Sequence, residues 1–267
     1  MIVIGEKING TRKAIKEAIL ARDRPYIEGV INEQVAAGAD YLDVNAGTNP
    51  DRELEDMMWL IDIVQELTDT PISIDSSSAK TLAAAIEHVK ATPLVNSINA
   101  DPARLDAFVP IIAEHGSPVI ALALDESKSG MPKDNDERMD NIARMFEATR
   151  AASIPDERLY VDPLIMSVGT DQQAGVDVLE CIRLIHETYP EAHITGGLSN
   201  ISFGLPSRAV VNRTFLTLAM QMGLDSAVCN PAETSLIEAI KATEMLLGRD
   251  RFCRKYTKAA KKGFTSN

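Results

Sequence analysis

The chain has 267 residues, 45% of them hydrophobic, and a formal charge of −12. That length suits one large domain over residues 1–267 with a substantial core, and the acidity argues against a general nucleic-acid binder, which needs a basic surface. No run of about 18 apolar residues is available to cross a membrane, and the opening Met-Ile-Val-Ile-Gly-Glu-Lys lacks the layout of a secretory signal, so a cytoplasmic protein is expected.

Strand and helix signals alternate along the chain. Ile2–Gly5 is a short apolar run, followed by helical stretches over Arg12–Arg22 and Pro25–Ala37. Tyr41–Asn45 alternates like a strand, and Asp51–Leu67 carries the apolar recurrence of a helix in Leu54, Met57, Met58, Ile61 and Val64. Pro71–Asp75 is a strand, with Ser76 to Ser78 capping a helix over Ala79–His88. Leu94–Ser97 is a strand and Pro102–Glu114 a helix. Pro118–Leu124 is almost wholly apolar, which suits a strand buried in a parallel sheet. The segment Asp125–Lys133 leads into a long helix over Asp134–Ala152, then come a strand at Arg158–Pro163 and a helix within Asp171–Tyr189. Ala192–Leu198 is a strand, Ser207–Met222 a helix, Ser226–Cys229 a strand and Thr234–Leu247 the closing helix. The basic tail Arg249 to Lys262 reads as a solvated terminal helix or a local docking patch. Eight strand signals, each followed by a helix, predict a parallel sheet closed into a (β/α)8 barrel, an α/β fold, with an open doubly wound sheet as the second architecture.

Cys181, Cys229 and Cys253 are odd in number and widely spaced, with no Cys-x-x-Cys and no His at ligand spacing, so neither a disulfide nor a zinc site is expected. Cys181 lies in an apolar helix stripe and Cys229 ends an apolar strand, where each reads as a small buried hydrophobe.

Ligands of such a barrel bind where the strands end. Those ends read Gly5-Glu6-Lys7-Ile8-Asn9, Asp43-Val44-Asn45, Asp75-Ser76, Asn96-Ser97-Ile98-Asn99, Asp125, Asp162-Pro163, Ser199-Asn200 and Cys229-Asn230. Asp and Asn are good turn and cap residues, which accounts for one or two ends; across so many, a shared polar pocket is the better reading. The rim has no His for a Ser-His-Asp triad or a His-rich metal site, and no Gly-x-Gly-x-x-Gly or Walker sequence for nucleotide phosphates. Carboxylates and carboxamides suit a heterocycle with donors and acceptors along its edges, because a carboxylate accepts two hydrogen bonds from an amino-pyrimidine edge. A pterin fits that description.

The stretch His193–Phe215 has the layout of a site. An apolar strand breaks into Gly196-Gly197, passes through Ser199-Asn200, and enters by a Gly/Pro loop a helix carrying Arg208 and Arg213. Glycine allows close approach to the backbone, and Asn200 engages a polar ring without bringing charge. A plain Gly-rich turn is the alternative.

Ile4-Gly5-Glu6-Lys7-Ile8-Asn9-Gly10, Leu42-Asp43-Val44-Asn45, Ile74-Asp75-Ser76, Val95-Asn96-Ser97, Val161-Asp162-Pro163-Leu164, Gly197-Leu198-Ser199-Asn200-Ile201-Ser202 and Asn212-Arg213-Thr214-Phe215, in this order and spacing, resemble the methyltetrahydrofolate:corrinoid protein methyltransferases. These are similar to the folate domain of cobalamin-dependent methionine synthase and, more distantly, to dihydropteroate synthase. The resemblance covers nearly the whole chain. It implies that Asp75, Asn96 and Asp162 hold a pterin by its donor and acceptor edges and that Asn200 hydrogen-bonds near N5 as the catalytic group. Gly197, Ser199 and Arg208 line the same site, with Glu6, Asp43 and Asn45 behind the pterin contacts. Taken alone, Asp75 could instead cap the helix near Ala79, and Asp162-Pro163 could be a turn. Arg208 and Arg213 could each contact the folate tail or pair with a carboxylate.

After Asn200 the chain reads Ile-Ser-Phe-Gly-Leu-Pro-Ser-Arg, closer to the methionine synthase folate domain and to demethylating methyltransferases than to the acetogenic enzyme. The Lys and Ser-x-Arg sites that dihydropteroate synthases use for diphosphate have no counterpart at matching strand ends, which disfavours that condensing activity. Nothing resembles the Asp-x-His-x-x-Gly corrinoid-binding signature, so the corrinoid is expected on a separate partner protein; the resemblance further implies tetrahydrofolate or 5-methyltetrahydrofolate as substrate, no tightly bound metal and a homodimer, while the charge and the lack of a long apolar run argue against a nucleic-acid or membrane partner. An inactive folate-binding scaffold is the non-enzymatic alternative.

Overall fold

A computed structural model of the chain describes residues 1–128 and 130–264. Eight parallel strands, β1 (Ile2–Asn9), β2 (Tyr41–Asn45), β3 (Ile72–Asp75), β4 (Leu94–Asn99), β5 (Val119–Leu122), β6 (Leu159–Asp162), β7 (His193–Ile194) and β8 (Ser226–Cys229), alternate with helices among these residues. Helices α1 (Lys13–Ala21) and α2 (Arg24–Ala36) follow β1, and α3 (Pro50–Leu67), α4 (Ala79–His88) and α5 (Pro102–His115) follow β2, β3 and β4. Then α6 (Asn135–Ala151), α7 (Ala174–Thr188), α8 (Arg208–Met222) and α9 (Thr234–Leu246) follow β5 to β8, and a terminal α10 spans Arg254–Lys261. The loop expected at 125–133 includes Ser129, which lies outside the described residues.

The strands run in the order β7-β6-β5-β4-β3-β2-β1-β8. Between β7 and β8 the ring is drawn together by a bridge from Gly197 to Val228, with the Val228 N–H donating to Gly196 O at 3.0 Å. The result is the expected (β/α)8 barrel, because an all-parallel sheet needs helices over its outer face and the seven crossovers that join its eight strands, all of one hand, bring β8 back beside β1.

Alternation along the strands sorts the core in two. Leu42, Val44, Ile72, Ile74, Val95, Val119, Ala121 and Val161 join the large cluster between sheet and helices. The other parity points into the barrel, where Ile4, Leu94, Ile120 and Tyr160 form a small separate core flanked by Ile2, Tyr41 and Val228. One further step of the same parity leads to Glu6, Asp43, Asp75, Asn96 and Asp162, at the C-terminal ends.

Two strands differ from the expected bounds. β1 runs on to Asn9 through a register shift between Gly5 and Ile8. The amide of Lys7 freed by this bulge donates to the buried Gln34 Oε1 at 2.9 Å, so the strand continues without an orphaned donor. β7 is shorter than expected, two residues long, because the chain turns at Gly196-Gly197 into a short 3-10 helix over Leu198–Ser202. A Cβ on Gly196 would lie 2.6 Å from Ile165 Cδ1, so a larger residue where β7 passes the β6 loop would have to displace the Ile165 side chain. The tail forms an exposed helix with no buried residue, as its composition indicated.

Candidate active site

On the β1–β4 arc of the rim, Asp43 is the hub. Its Oδ1 accepts from Ser73 Oγ at 2.7 Å and from Asn96 Nδ2 at 3.1 Å, joining β2, β3 and β4. Asp43 is 2% exposed, and burial raises its pKa well above the usual carboxylate range. The neighbouring Asp75 charge adds to the rise and the two hydrogen bonds oppose it. Asp75 is raised too, first by burial, against a hydrogen bond from Asn45 and the charge of Arg104. Glu6 adds a smaller repulsion toward Asp43, and its own carboxylate accepts from Arg12 Nη2 at 2.7 Å.

This arc leaves bonding capacity open. Asn96 spends its Nδ2 on Asp43, so its carbonyl oxygen remains an acceptor, and the buried Asn45 Oδ1 has no partner among the described residues. A buried acceptor without a donor is costly unless a ligand supplies one. The alternative of Asp75 as a helix cap is removed: Ser78 caps α4, its Oγ accepting from the Thr81 N–H at 3.2 Å.

On the β6–β7 arc, Asp162 Oδ1 accepts from the Leu164 N–H at 2.8 Å, and a backbone hydrogen bond from Gly197 also reaches the carboxylate. Burial pushes its pKa up to about 6 in spite of both donors. The residue is thus a turn former and a polar group of the rim at once. Gly197 ties this carboxylate to Asn200: a Cβ there would meet Asn200 Nδ2 at 3.0 Å, so the glycine leaves room for the carboxamide. Asn200 itself is exposed at the barrel mouth.

The turn carrying Asn200 is held from α8. Arg208 Nη2 donates to Ser199 O at 2.6 Å and Nε to Ser202 Oγ at 3.0 Å, while Ser202 Oγ donates to Asn212 Oδ1 at 2.6 Å. Arg208 therefore braces Ser199-Asn200 and pairs with no carboxylate among the described residues. On the far side, Ser167 Oγ donates to Phe203 O at 2.7 Å.

Not every polar strand end converges. Asn9, Asn99, Asp125 and Asn230 each accept from the backbone N–H two residues on, at 2.9 to 3.2 Å, and so close local turns. Asp125 also takes Arg144 Nη2 at 2.8 Å. The candidate site thus comprises two bonded arcs, the ends of β2, β3 and β4 and the ends of β6 and β7.

Three groups escaped the reading of the sequence. Ser73 shares the parity of Asp75 in Ile-Ser-Ile-Asp, a signal that could have found it. Asn212 sits within a quoted stretch but its bond to Ser202 was not legible. Arg104 gave no signal: from α5 it donates to Ser97 O at 2.8 Å and to Ser77 O at 2.9 Å, binding the β3 and β4 ends together beside Asp75.

Comparison with known proteins adds a lineage to this geometry. Residues 6–230 match the family described as pterin binding enzyme. The chain is 39% identical over 263 residues to the methylcorrinoid:tetrahydrofolate methyltransferase of Eubacterium limosum, covering 98% of this chain and 97% of that one. With the methionine synthase of Mycobacterium tuberculosis it shares 29% identity over 246 residues, 87% of this chain and 20% of that longer protein. Dihydropteroate synthase from Xanthomonas albilineans in complex with 7,8-dihydropteroate is similar in fold, with a TM-score of 0.69 at 21% identity and 92% of each chain covered. The family match over most of the chain and the end-to-end relative make this chain a member of the pterin-binding enzymes, on their folate–corrinoid methyltransferase branch.

Proposed function

We propose that the protein moves a methyl group between N5 of tetrahydrofolate and the cobalt of a corrinoid carried by a separate protein. The observation that supports this most is the open bonding capacity at the strand ends: the carboxylates of Asp75 and Asp162, the free carbonyl of Asn96 and the unpartnered Asn45 Oδ1 form an acceptor-rich rim. An aminopyrimidine ring offers the donors such a rim lacks. Asp75, Asn96 and Asp162 orient the pterin, and its donors stabilise the ionised carboxylates that burial alone disfavours.

The partner's corrinoid supplies the metal that takes or gives the methyl group. N5 is a poor leaving group, so its bond to carbon breaks readily only when N5 is hydrogen-bonded or protonated as charge develops. Asn200 stands at the mouth with its carboxamide free to serve there, and a contact that strengthens in the transition state raises the rate. Gly197 gives Asn200 its room, and Arg208 with Ser202 and Asn212 fixes the turn. The partner docks over the barrel mouth. The protein acts as a homodimer in the cytoplasm, where its three cysteines, free in this structure, stay reduced.

The test is a single-turnover assay of the full chain with 5-methyltetrahydrofolate and chemically reduced free cobalamin, read by the cobalamin spectrum. Methylated cobalamin and tetrahydrofolate are expected in equal amounts. Folate binding without transfer to any reduced corrinoid would leave only the scaffold reading, and product from pterin diphosphate plus aminobenzoate would make it a condensing enzyme.

A further inference from the structure

Asp75 and Asn96 stand opposite each other in the register of β3 and β4, and the Ser76 N–H donates to Asn96 O at 3.2 Å just beyond. Past that bond the two chains are held by one side chain from α5. The register of β4 with β5 shifts between Asn96 and Ile98, which leaves Ser97 without a partner on β5. Arg104 takes the Ser97 carbonyl, Nε donating at 3.1 Å and Nη2 at 2.8 Å, while Nη1 donates to Ser77 O at 2.9 Å. A guanidinium carries five donors in a fixed fork, so it bridges two chain ends that an ammonium would touch at one point. The fork is itself steadied, its carbon lying 4.1 Å from the ring centroid of the buried Phe108, one turn further along α5.

The same guanidinium acts at longer range. Burial works against the charge of Arg104, and Glu126, Asp75 and Asp101 sustain it. Burial likewise works against an ionised Asp75, as does Glu53 of α3; the hydrogen bond from Asn45 and then the Arg104 charge favour it. Asp43, facing Asp75 from β2, is acted on by the charges of Asp75 and of Glu6 on β1, both negative. Two facing carboxylates withdrawn from water do not both ionise readily, so a cation beside one of them decides where the charge rests.

We propose that Arg104 is a positioning residue of the pterin site: it locks the ends of β3 and β4 at the spacing from which Asp75 and Asn96 grip the ring edge, and it places the negative charge of the facing Asp43–Asp75 pair on Asp75. This rests on the folate reading and deepens it. An ionised Asp75 accepts two donors from the aminopyrimidine edge, whereas a protonated one would turn a donor of its own toward them. Arg104 acts through the two side chains that its fork aligns.

Titration of the full chain with 5-methyltetrahydrofolate from about pH 5 to about pH 9 tests this, each variant being compared with wild type at the same pH so that the ligand's own titration cancels. Arg104→Gln is expected to weaken binding by about 10-fold near neutrality. It is also expected to move the acid limb, where Asp75 takes up a proton and affinity falls, upward by about one pH unit. Arg104→Lys keeps a cation and is expected to return the limb to its wild-type position while binding stays weaker, since one ammonium does not bridge Ser77 and Ser97. In an Asp75→Asn background, Arg104→Gln is expected to leave the pH dependence where it was. Far-UV circular dichroism confirms that each variant is folded, and Arg104→Lys, the milder change, carries the test of the brace should Arg104→Gln not fold. A folded Arg104→Gln with wild-type affinity and an unmoved limb overturns the proposal while the folate reading stands. A loss of the same size at every pH overturns the placement of the charge, and wild-type affinity in Arg104→Lys overturns the brace. A folded wild type that binds no folate overturns the function itself.

Discussion

Inside the barrel, residues two places apart on one strand point the same way and meet opposite fates. Leu94 and Tyr160 lie in the apolar inner core with Ile4 and Ile120; two residues further on, Asn96 and Asp162 stand in a rim where buried carboxylates have pKa values raised by lost hydration. Each fully buried large side chain of the lower layer contributes about 1.5–3 kcal/mol to folding. The upper layer works against folding, since an ionised carboxylate out of water is unfavourable without full pairing. The difference teaches that the barrel's stability and its chemistry are stacked along the same strands, one layer offsetting the other.

The separation can be broken from the lower side first. Ile120→Ala is expected to cost about 2–5 kcal/mol of stability, measured by denaturant unfolding, with folate affinity in the folded fraction unchanged. A large affinity loss there would mean that the layers are not independent. In the upper layer, Asn200→Ala is expected to slow methyl transfer by about 10²–10³, the scale of a lost transition-state hydrogen bond, with folate binding only modestly weaker. Wild-type turnover in a single-turnover assay would remove Asn200 from the mechanism. Asp75→Ala is expected to weaken folate binding by about 10- to 100-fold, as for a charge-assisted hydrogen bond, and an unchanged titration would refute its pterin contact.

Two smaller effects sharpen the comparison through pH. Asp162 has a folded pKa of about 6 against an unfolded value near 3.9. The folded state binds the proton more tightly, so this contribution to stability is complete below about pH 4 and is lost as pH rises through 6, on the order of 2–3 kcal/mol in the ligand-free protein. Asp162→Asn is expected to flatten that slope and raise the melting temperature at pH 8; an unaltered slope would show that burial there is relieved by water. At the opposite end of the barrel, His193 Nδ1 lies 2.6 Å from Asp225 Oδ2, and this hydrogen bond raises its pKa. Its contribution is present below the unfolded value of about 6.5 and disappears as pH rises through the folded one. His193→Gln is expected to give the smallest change, confined to that window, because the pair is partly exposed to solvent.

Much of the site followed from local rules. Eight strands each followed by a helix, the polar residues at the ends of those strands, and the break at Gly196-Gly197 all rest on periodicity or on interactions between near neighbours, which a linear reading captures. Equally local are the turns that Asn9, Asn99, Asp125 and Asn230 close with their own backbone two residues on. What the linear reading did not separate was these turn formers from the groups that converge, since the same Asp or Asn serves either purpose.

By itself, the amino-acid order determined the barrel and which side chains face its axis, because strand pleating and the handedness of crossovers leave little choice once the hydrophobic alternation is set. Only the tertiary structure decided which polar ends are bonded to one another. Asp43 meets Ser73 and Asn96 across 30 and 53 residues of chain, and Arg104 and Asn212 find their partners from neighbouring helices. Such contacts depend on strand register and helix docking, which bring distant residues within hydrogen-bond reach only after the ring has formed.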